Sequence, residues 1–279
     1  MRSIGFLSEK GGVGKSTIAL NCAHAMAKQG SRVLFIDADP QSNATMVILA
    51  GGSVGYPTLA NVLANECGAG EAIRETATTG LDLIPADSAL ADVNVTLASE
   101  LGRERRLRLA MQGIDSDYDF IVVDTSPQRC LININVLNYV AEVYCPVDPG
   151  IFALAGLLKL QDAIAGVVKY LDNPTLHLAG LLLSRVQRDN LSRDTEAQLR
   201  EAFGPLVLKT TIPASTKIGE AHARYASVLD FAPASPGAKA FLSLTSEIIK
   251  NGALNGPGNV GNGTAPVNGK RSRRARAAG

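Results

Sequence analysis

Ten residues near the start of the chain, Ser8-Glu9-Lys10-Gly11-Gly12-Val13-Gly14-Lys15-Ser16-Thr17, have the types and the spacing to hold a phosphate group. Glycines at 11, 12 and 14 let the backbone curl until successive N–H groups face one anion, and the helical pattern that follows adds the positive end of its dipole. Lys15 is then placed to reach β- and γ-phosphates as a point charge, and the Ser16 hydroxyl to ligate Mg²⁺. The candidate nucleotide-binding set is therefore Gly11, Gly12, Val13, Gly14, Lys15, Ser16 and Thr17. The spacing is that of a Walker A loop with one irregularity, Glu9 in the place where the usual loop has its first glycine. A glycine-rich turn that binds nothing has no need of a strand before it and a Lys-Ser pair leading into a helix behind it.

Carboxylates end two apolar runs. Tyr118 to Val123 leads into Asp124, and a strand buried on both faces that delivers one acid to the phosphate edge can hold Mg²⁺ through water. Asp124 is thus the candidate metal residue beside Ser16. Arg32 to Ile36 leads into Asp37, with Asp39, Pro40 and Gln41 just beyond. In an open α/β sheet that edge is where ligands bind, although Asp-x-Asp-Pro taken alone is equally a turn.

Positioning these groups requires a particular alternation of elements. The patterns predict strands over 3–8, 32–37, 81–85, 118–124, 142–147, 178–184 and a last short one over 207–212. Helices are predicted over 17–29, 58–64, 71–75, 100–112, 131–140, 152–170, 191–203 and 237–250, with Gly30 closing the first. Such alternation means an α/β fold, a mostly parallel twisted sheet with helices on both faces. The stretch 100–112 mixes Arg103, Arg105, Arg106 and Arg108 with Glu104 and reads as a solvated amphipathic helix.

Composition narrows the class further. With 46% hydrophobic and 19% charged residues, 279 residues can bury one large α/β core. The net charge of +1 gives no global case for nucleic acid or membrane, so any basic surface must be local. Cys22, Cys67, Cys130 and Cys145 form no Cys-x-x-Cys pair, which argues for reduced thiols, three of them in the core. The chain enters a strand within three residues, leaving no signal peptide or added helix-turn-helix region, and no apolar run approaches the ~18 residues of a spanning helix. A soluble cytoplasmic protein is expected. After Lys250 the composition turns to Gly, Asn and Pro and ends in Lys270-Arg271-Ser272-Arg273-Arg274-Ala275-Arg276. The expected division is a globular domain over 1–250 and a flexible linker with a basic tail over 251–279.

The second lysine at the head of the loop, in Lys10-Gly11-Gly12-Val13-Gly14-Lys15-Ser16, resembles the deviant Walker A of the ParA/MinD family of ATPases. Asp37-Ala38-Asp39-Pro40-Gln41-Ser42-Asn43-Ala44-Thr45 is similar to that family's first switch, with Ser42 replacing a glycine. Thr125-Ser126-Pro127 is similar to the second, where Gln128 and Arg129 replace small residues. Thr211 to Ala221 resembles the Ile-Pro loop that walls the adenine, and Ser235 to Ile248 the closing helix of ParA proteins. The likeness runs in matching order over residues 3–250. It implies ATP and Mg²⁺ as cofactors, Pro213 against the base, Asp39 orienting the attacking water, and Asp37 supporting Mg²⁺ or that water. It also implies that Lys10 crosses to the nucleotide of a partner subunit in an ATP-bound homodimer.

A ParA-like cycle further implies weak ATP hydrolysis stimulated by a ParB-like or cargo-adaptor partner, and binding of non-specific double-stranded DNA. Such a cycle positions a plasmid, a chromosome or another cargo on the nucleoid. Basic residues that could meet DNA are Arg185, Arg188, Arg193, Lys217, Arg224, Lys239 and Lys250, with Arg271, Arg273 and Arg274 in the tail. The alternative is a membrane-cycling ATPase like MinD, but this tail has no hydrophobic face from which to build an anchoring helix, so membrane is the weaker partner. An iron–sulfur reductase of the same superfamily needs paired cysteines near the switches, and Cys130 has no evident mate.

Overall fold

The computed structural model describes residues 1–128, 130–149 and 153–254. The basic residues Arg271, Arg273 and Arg274 expected in the tail, and Arg129, lie outside the described residues. In chain order the elements are β1 Arg2–Phe6, α1 Lys15–Lys28, β2 Val33–Ala38, α2 Asn43–Ile48, α3 Leu59–Ala64, α4 Ala69–Ala72, β3 Arg74–Glu75, β4 Leu81–Ile84, α5 Val93–Thr96, α6 Arg106–Ala110, β5 Phe120–Thr125 and α7 Leu131–Tyr139. They continue with β6 Glu142–Val147, α8 Ala153–Tyr170, β7 His177–Leu183, α9 Asn190–Phe203, α10 Thr216–Ala223, α11 Val228–Phe231 and α12 Pro236–Leu254.

The strands form one sheet in the order β3-β4-β2-β5-β1-β6-β7, parallel throughout except for β3 on β4. Side chains alternate between its faces. Val33 and Phe35 enter the core shared with α1, α11 and α12, while Leu34 and Ile36 enter the opposite core with α3 and α7. Helix α1 is buried continuously from Ile18 to Ala27, because the sheet covers one side and α11 and α12 the other. Phe241, Leu244 and Ile248 of α12, spaced along one face, have no exposure, and burial of each stabilises by about 1.5–3 kcal/mol. The mostly parallel α/β sheet expected from the sequence is thus observed.

Five local expectations are corrected. The helix over 100–112 breaks at Gly102, whose φ of 69° is left-handed; a 3₁₀ turn over 103–105 and the short α6 replace it. The first-turn amide of Leu107 is satisfied from outside, by Oδ1 of the buried Asn135 at 3.1 Å. The predicted strand over 207–212 meets β7 through an isolated bridge, Leu181 to Val207, with a second, Val186 to Pro213, just past it. Its middle amides, Lys209 and Thr210, donate instead to the Glu247 carboxylate at 2.7 and 2.9 Å. The helix over 71–75 stops at Ala72, and Arg74–Glu75 pairs with β4. Only Cys22 and Cys145 are buried, with Cys67 and Cys130 half-buried; desolvation pushes both buried thiols up to about 12 and keeps them inert. The last helix also runs four residues beyond Lys250, to Leu254.

One ion pair ties the two ends of the described chain together. Arg2 grips Glu142 through Nε and Nη2 at 2.8 and 2.7 Å, and donates to the carbonyls of Ile248 and Ile249 in α12. Arg2→Met leaves Glu142 without this partner and removes the side-chain donor from two α12 carbonyls. We expect a loss of about 2 kcal/mol in urea unfolding, below the ~3–5 kcal/mol of a fully buried pair, because the side chains keep 21% and 11% exposure. A loss under about 0.5 kcal/mol would show that water screens the pair.

Candidate nucleotide site

Helix α1 begins at Lys15 on the carboxyl side of β1, so residues 7–14 form the turn between them. Gly12 and Gly14 adopt φ of 75° and 83°, the left-handed conformation that a side chain resists and that a phosphate-cradling turn needs. Gly14 is the cap of α1, and its carbonyl accepts from the Ile18 amide at 2.9 Å. Lys15 is 6% exposed, held between the sheet and its own helix.

Asp124 is the next-to-last residue of β5, beside β1, and stands in register opposite Asp37 on β2. It is fully buried, and neither carboxylate oxygen has a hydrogen-bond partner. Burial and the nearby Asp37 push its carboxyl well above the usual carboxylate range, while the Lys15 ammonium and the Ser16 hydroxyl pull it back down. An orphaned buried carboxylate beside a serine hydroxyl fits a hydrated Mg²⁺, which prefers few protein oxygens and keeps several waters. Consistent with that donor set, no group of three or more His, Cys, Asp or Glu among the described residues could hold a metal by itself.

The first switch is built differently. Asp37 commits both oxygens inside the protein: Oδ2 accepts from the Thr45 amide and hydroxyl at 2.8 and 2.7 Å, and Oδ1 from the Asp39 amide at 3.1 Å. Desolvation also raises its carboxyl, against the pull of these donors. Asp39, 5% exposed, takes the Gln41 amide on Oδ1 at 3.0 Å. Ser42, standing where the family pattern has glycine, adopts φ 51° and caps α2 in the left-handed region, at a cost of about 1 kcal/mol to a side chain. Thr45 lay within the motif read from the sequence but was assigned no role there; it is what holds Asp37.

Lys10 takes no part in its own loop's interior. Its ammonium is exposed and pairs with Asp148, just past β6, at 3.0 Å. Asp148 went unnoticed in the sequence, although it is an acid just past a strand's carboxyl end, the same signal that singled out Asp37 and Asp124. Pro213 bridges to Val186 beyond β7, and the Ala214 amide donates to the Val186 carbonyl at 3.0 Å, which hangs the Ile-Pro segment from the sheet's phosphate edge.

The basic residues separate into groups. Arg188, Arg193, Lys217, Arg224 and Lys239 are exposed; Lys217 pairs with Glu220 at 2.7 Å and Arg224 lies 5.2 Å from the Phe231 ring. Gly237 packs so tightly on Ile218 that an added Cβ would meet it at 3.0 Å, which sets the start of α12, and Lys239, near Lys217 on α10. Lys250 lies eleven residues on, roughly 16 Å along the helix axis, at the end where Arg2 binds α12, and so stands apart from the phosphate edge. Arg185 is turned back: its Nη1 donates to the Gly12 carbonyl at 2.9 Å.

Asp124→Asn removes a charge that the nucleotide-free protein solvates poorly. We expect unchanged or greater stability, by up to about 2 kcal/mol in urea unfolding, together with loss of the rise in Tm that Mg²⁺ with a nucleoside triphosphate gives the unsubstituted chain. A large drop in stability without ligand would show that the carboxylate is a structural partner instead.

Comparison with known proteins agrees with this geometry. Residues 1–178 match the family model described as "AAA domain". The sporulation initiation inhibitor protein Soj of Bacillus subtilis is 33% identical over 250 residues, covering 89% of this chain and 98% of that protein. The chromosome partitioning protein ParA of Caulobacter vibrioides is 34% identical over 252 residues, covering 89% and 94%. Among solved structures, cobyrinic acid a,c-diamide synthase from Mycobacterium smegmatis, with bound ATP analogue and magnesium, superposes with a TM-score of 0.77 at 26% identity, over 90% of this chain and 95% of that one. By its loop, its switches and these relatives, the chain belongs to the ParA/Soj family of P-loop ATPases.

Proposed function

We propose that this chain binds ATP with Mg²⁺, joins a second copy face to face around the nucleotides, binds DNA without reading its sequence, and hydrolyses ATP slowly until a ParB-like or cargo-adaptor partner accelerates the reaction. The observation that carries the reading is the division of labour between two lysines. Lys15 is buried beside Asp124, placed to neutralise the phosphates of its own loop, while Lys10 stands exposed on the rim with only an ion pair to hold it. An exposed pair of this kind is worth at most about 1 kcal/mol, so Lys10 is cheaply released to a second subunit.

In this reading the cation, held by Ser16 and by Asp124 through water, neutralises phosphate charge. The chain's own groups do the positioning: N–H groups around Gly12 and Gly14 and the Lys15 ammonium orient the terminal phosphate, Asp39 orients the water, and Asp37 keeps the switch that carries Asp39 in place. Lys10 adds its charge only in the dimer, as an arginine finger does. Arg188, Arg193, Lys217, Arg224 and Lys239 supply the local positive surface for phosphate contacts on DNA, and the cargo is a chromosome, a plasmid or another large body on the nucleoid.

The test is binding of a random-sequence duplex with ATP, with ADP and without nucleotide across a salt series. ATP-selective, sequence-indifferent and salt-sensitive binding supports the proposal. Its absence, with ATP-dependent pelleting on anionic liposomes, would overturn it in favour of membrane cycling. Lys10→Ala is expected to keep measurable ATP binding and to lose hydrolysis by at least about tenfold, whereas Lys15→Ala loses nucleotide binding itself. Normal turnover by an isolated Lys10→Ala monomer would sink the shared-site model. Asp39→Ala is expected to trap an ATP-bound dimer, seen as a persistent species of doubled mass in light scattering; rapid turnover by that variant contradicts the water-positioning role.

A further inference from the structure

A loop that turns successive N–H groups towards an anion turns the matching carbonyls the other way; a buried one, such as that of Val13, needs a donor of its own, and an exposed one, such as that of Gly12, can be fixed by a side chain in place of water. In this chain three in a row are supplied. Gly14 O accepts from Ile18 within α1, as in any helix. Val13 O accepts from the hydroxyl of Ser184 at 2.7 Å, and Gly12 O from the guanidinium of Arg185 at 2.9 Å. The last two donors are consecutive residues just beyond β7, about 170 positions away in sequence.

We infer that Ser184 and Arg185 are positioning residues for nucleotide binding, which set the phosphate loop from behind, through its carbonyls. Ser184 is 1% exposed, its amide is tied to Val147 O at 2.9 Å, and its hydroxyl lies closer to Val13 O, at 2.7 Å, than to its other acceptor, Val147 O, at 3.4 Å. Arg185 sits at φ 55°, a left-handed conformation that glycine or asparagine occupies at lower cost, and its side chain reaches back across the strand ends to Gly12. A donor on a peptide carbonyl also polarises the N–H of the same peptide unit. The two units gripped here carry the Val13 and Gly14 amides, the donors that the loop offers an anion. The next residue, Val186, exchanges backbone bonds with the Pro213 segment: Val186 N to Ile212 O and Ala214 N to Val186 O, both at 3.0 Å. Three consecutive residues therefore fix the phosphate loop relative to the segment proposed to face the base. The same geometry gives Arg185, although exposed, a partner within its own chain, and the experiment below separates that role from a DNA contact.

The inference rests on the reading of this loop as a nucleotide site, and its test has one arm that does not. Arg185→Gly suits the backbone better than arginine, so it removes the bond without a folding penalty; Arg185→Lys keeps the charge, and Ser184→Ala removes the second donor. In the nucleotide-free protein, amide exchange of residues 11–15 is expected to quicken about five- to tenfold in Arg185→Gly, the factor carried by one hydrogen bond, at an unchanged or higher Tm. The Kd for Mg-ADP, read by titration calorimetry, should weaken by a similar factor, be partly restored in Arg185→Lys, and weaken further when Ser184→Ala is added. Unchanged loop exchange in Arg185→Gly overturns the inference, and so does an unchanged Kd accompanied by weaker DNA binding, which would make Arg185 a DNA contact. Should the unsubstituted chain bind neither ADP nor ATP, the nucleotide reading fails and the exchange arm alone decides.

Discussion

The rest of the structure depends on one buried carboxylate. Asp124 lies on a central strand with no exposure and no hydrogen bond to either oxygen, and across the sheet register it faces a second buried acid, Asp37. Two such groups repel each other and lose hydration together, a cost of several kcal/mol per ion that a fold repays only where something else recovers it. Lys15 recovers part, and the rest is available to whatever cation and anion complete the site. Stability and ligand binding are therefore linked, since a ligand that binds only the folded state stabilises it by RT ln(1 + L/Kd) at free ligand concentration L, the more so the tighter it binds. The glycines at 12 and 14, the helix beginning at Lys15 and the switch carrying Asp39 are all arranged about that deficit.

How much of this the sequence discloses depends on how local the cause is. β2 and β5 are continuous apolar runs because both sheet faces are covered, and each carries an acid one residue from its carboxyl end, which opens on the site; both facts are visible in Val33–Ala38 and Phe120–Thr125 alone. The loop is legible for the same reason, since Gly12, Gly14, Lys15 and Ser16 act within five residues. The readings that failed depend on acceptors far along the chain. Residues 207–212 have strand composition, yet their middle amides, Lys209 and Thr210, are taken by Glu247 on α12, and α6 has its Leu107 amide held by Asn135 on α7. No periodicity within either segment signals that.

The same distinction explains the basic residues. Composition offers Arg185 and Lys250 to a DNA surface on equal terms with Lys217 and Lys239. Only the fold shows that α12 carries Lys250 to the opposite end of the sheet while a left-handed residue swings Arg185 onto the phosphate loop. A positive charge on a sequence is a capacity; what it neutralises is set by which strand end it follows.

Thr45 shows how a change of charge at the site can leave it. Its hydroxyl donates its single proton to Asp37 and accepts the Ala86 amide at 3.0 Å, while its own amide also donates to Asp37. One side chain thus joins the end of β2, the first turn of α2 and the segment after β4. Asp37 bears directly on Thr45, so α2 is joined to the acidic sheet edge through three hydrogen bonds, and a cation held at Asp124 would supply the charge that offsets the repulsion on Asp37. Ser42, at φ 51°, puts a left-handed residue at the start of that helix. The segment that carries Asp39 thus lies between a buried acid and a strained turn, joined to the sheet edge by short hydrogen bonds, so a change of charge at that edge would reach it by a short path.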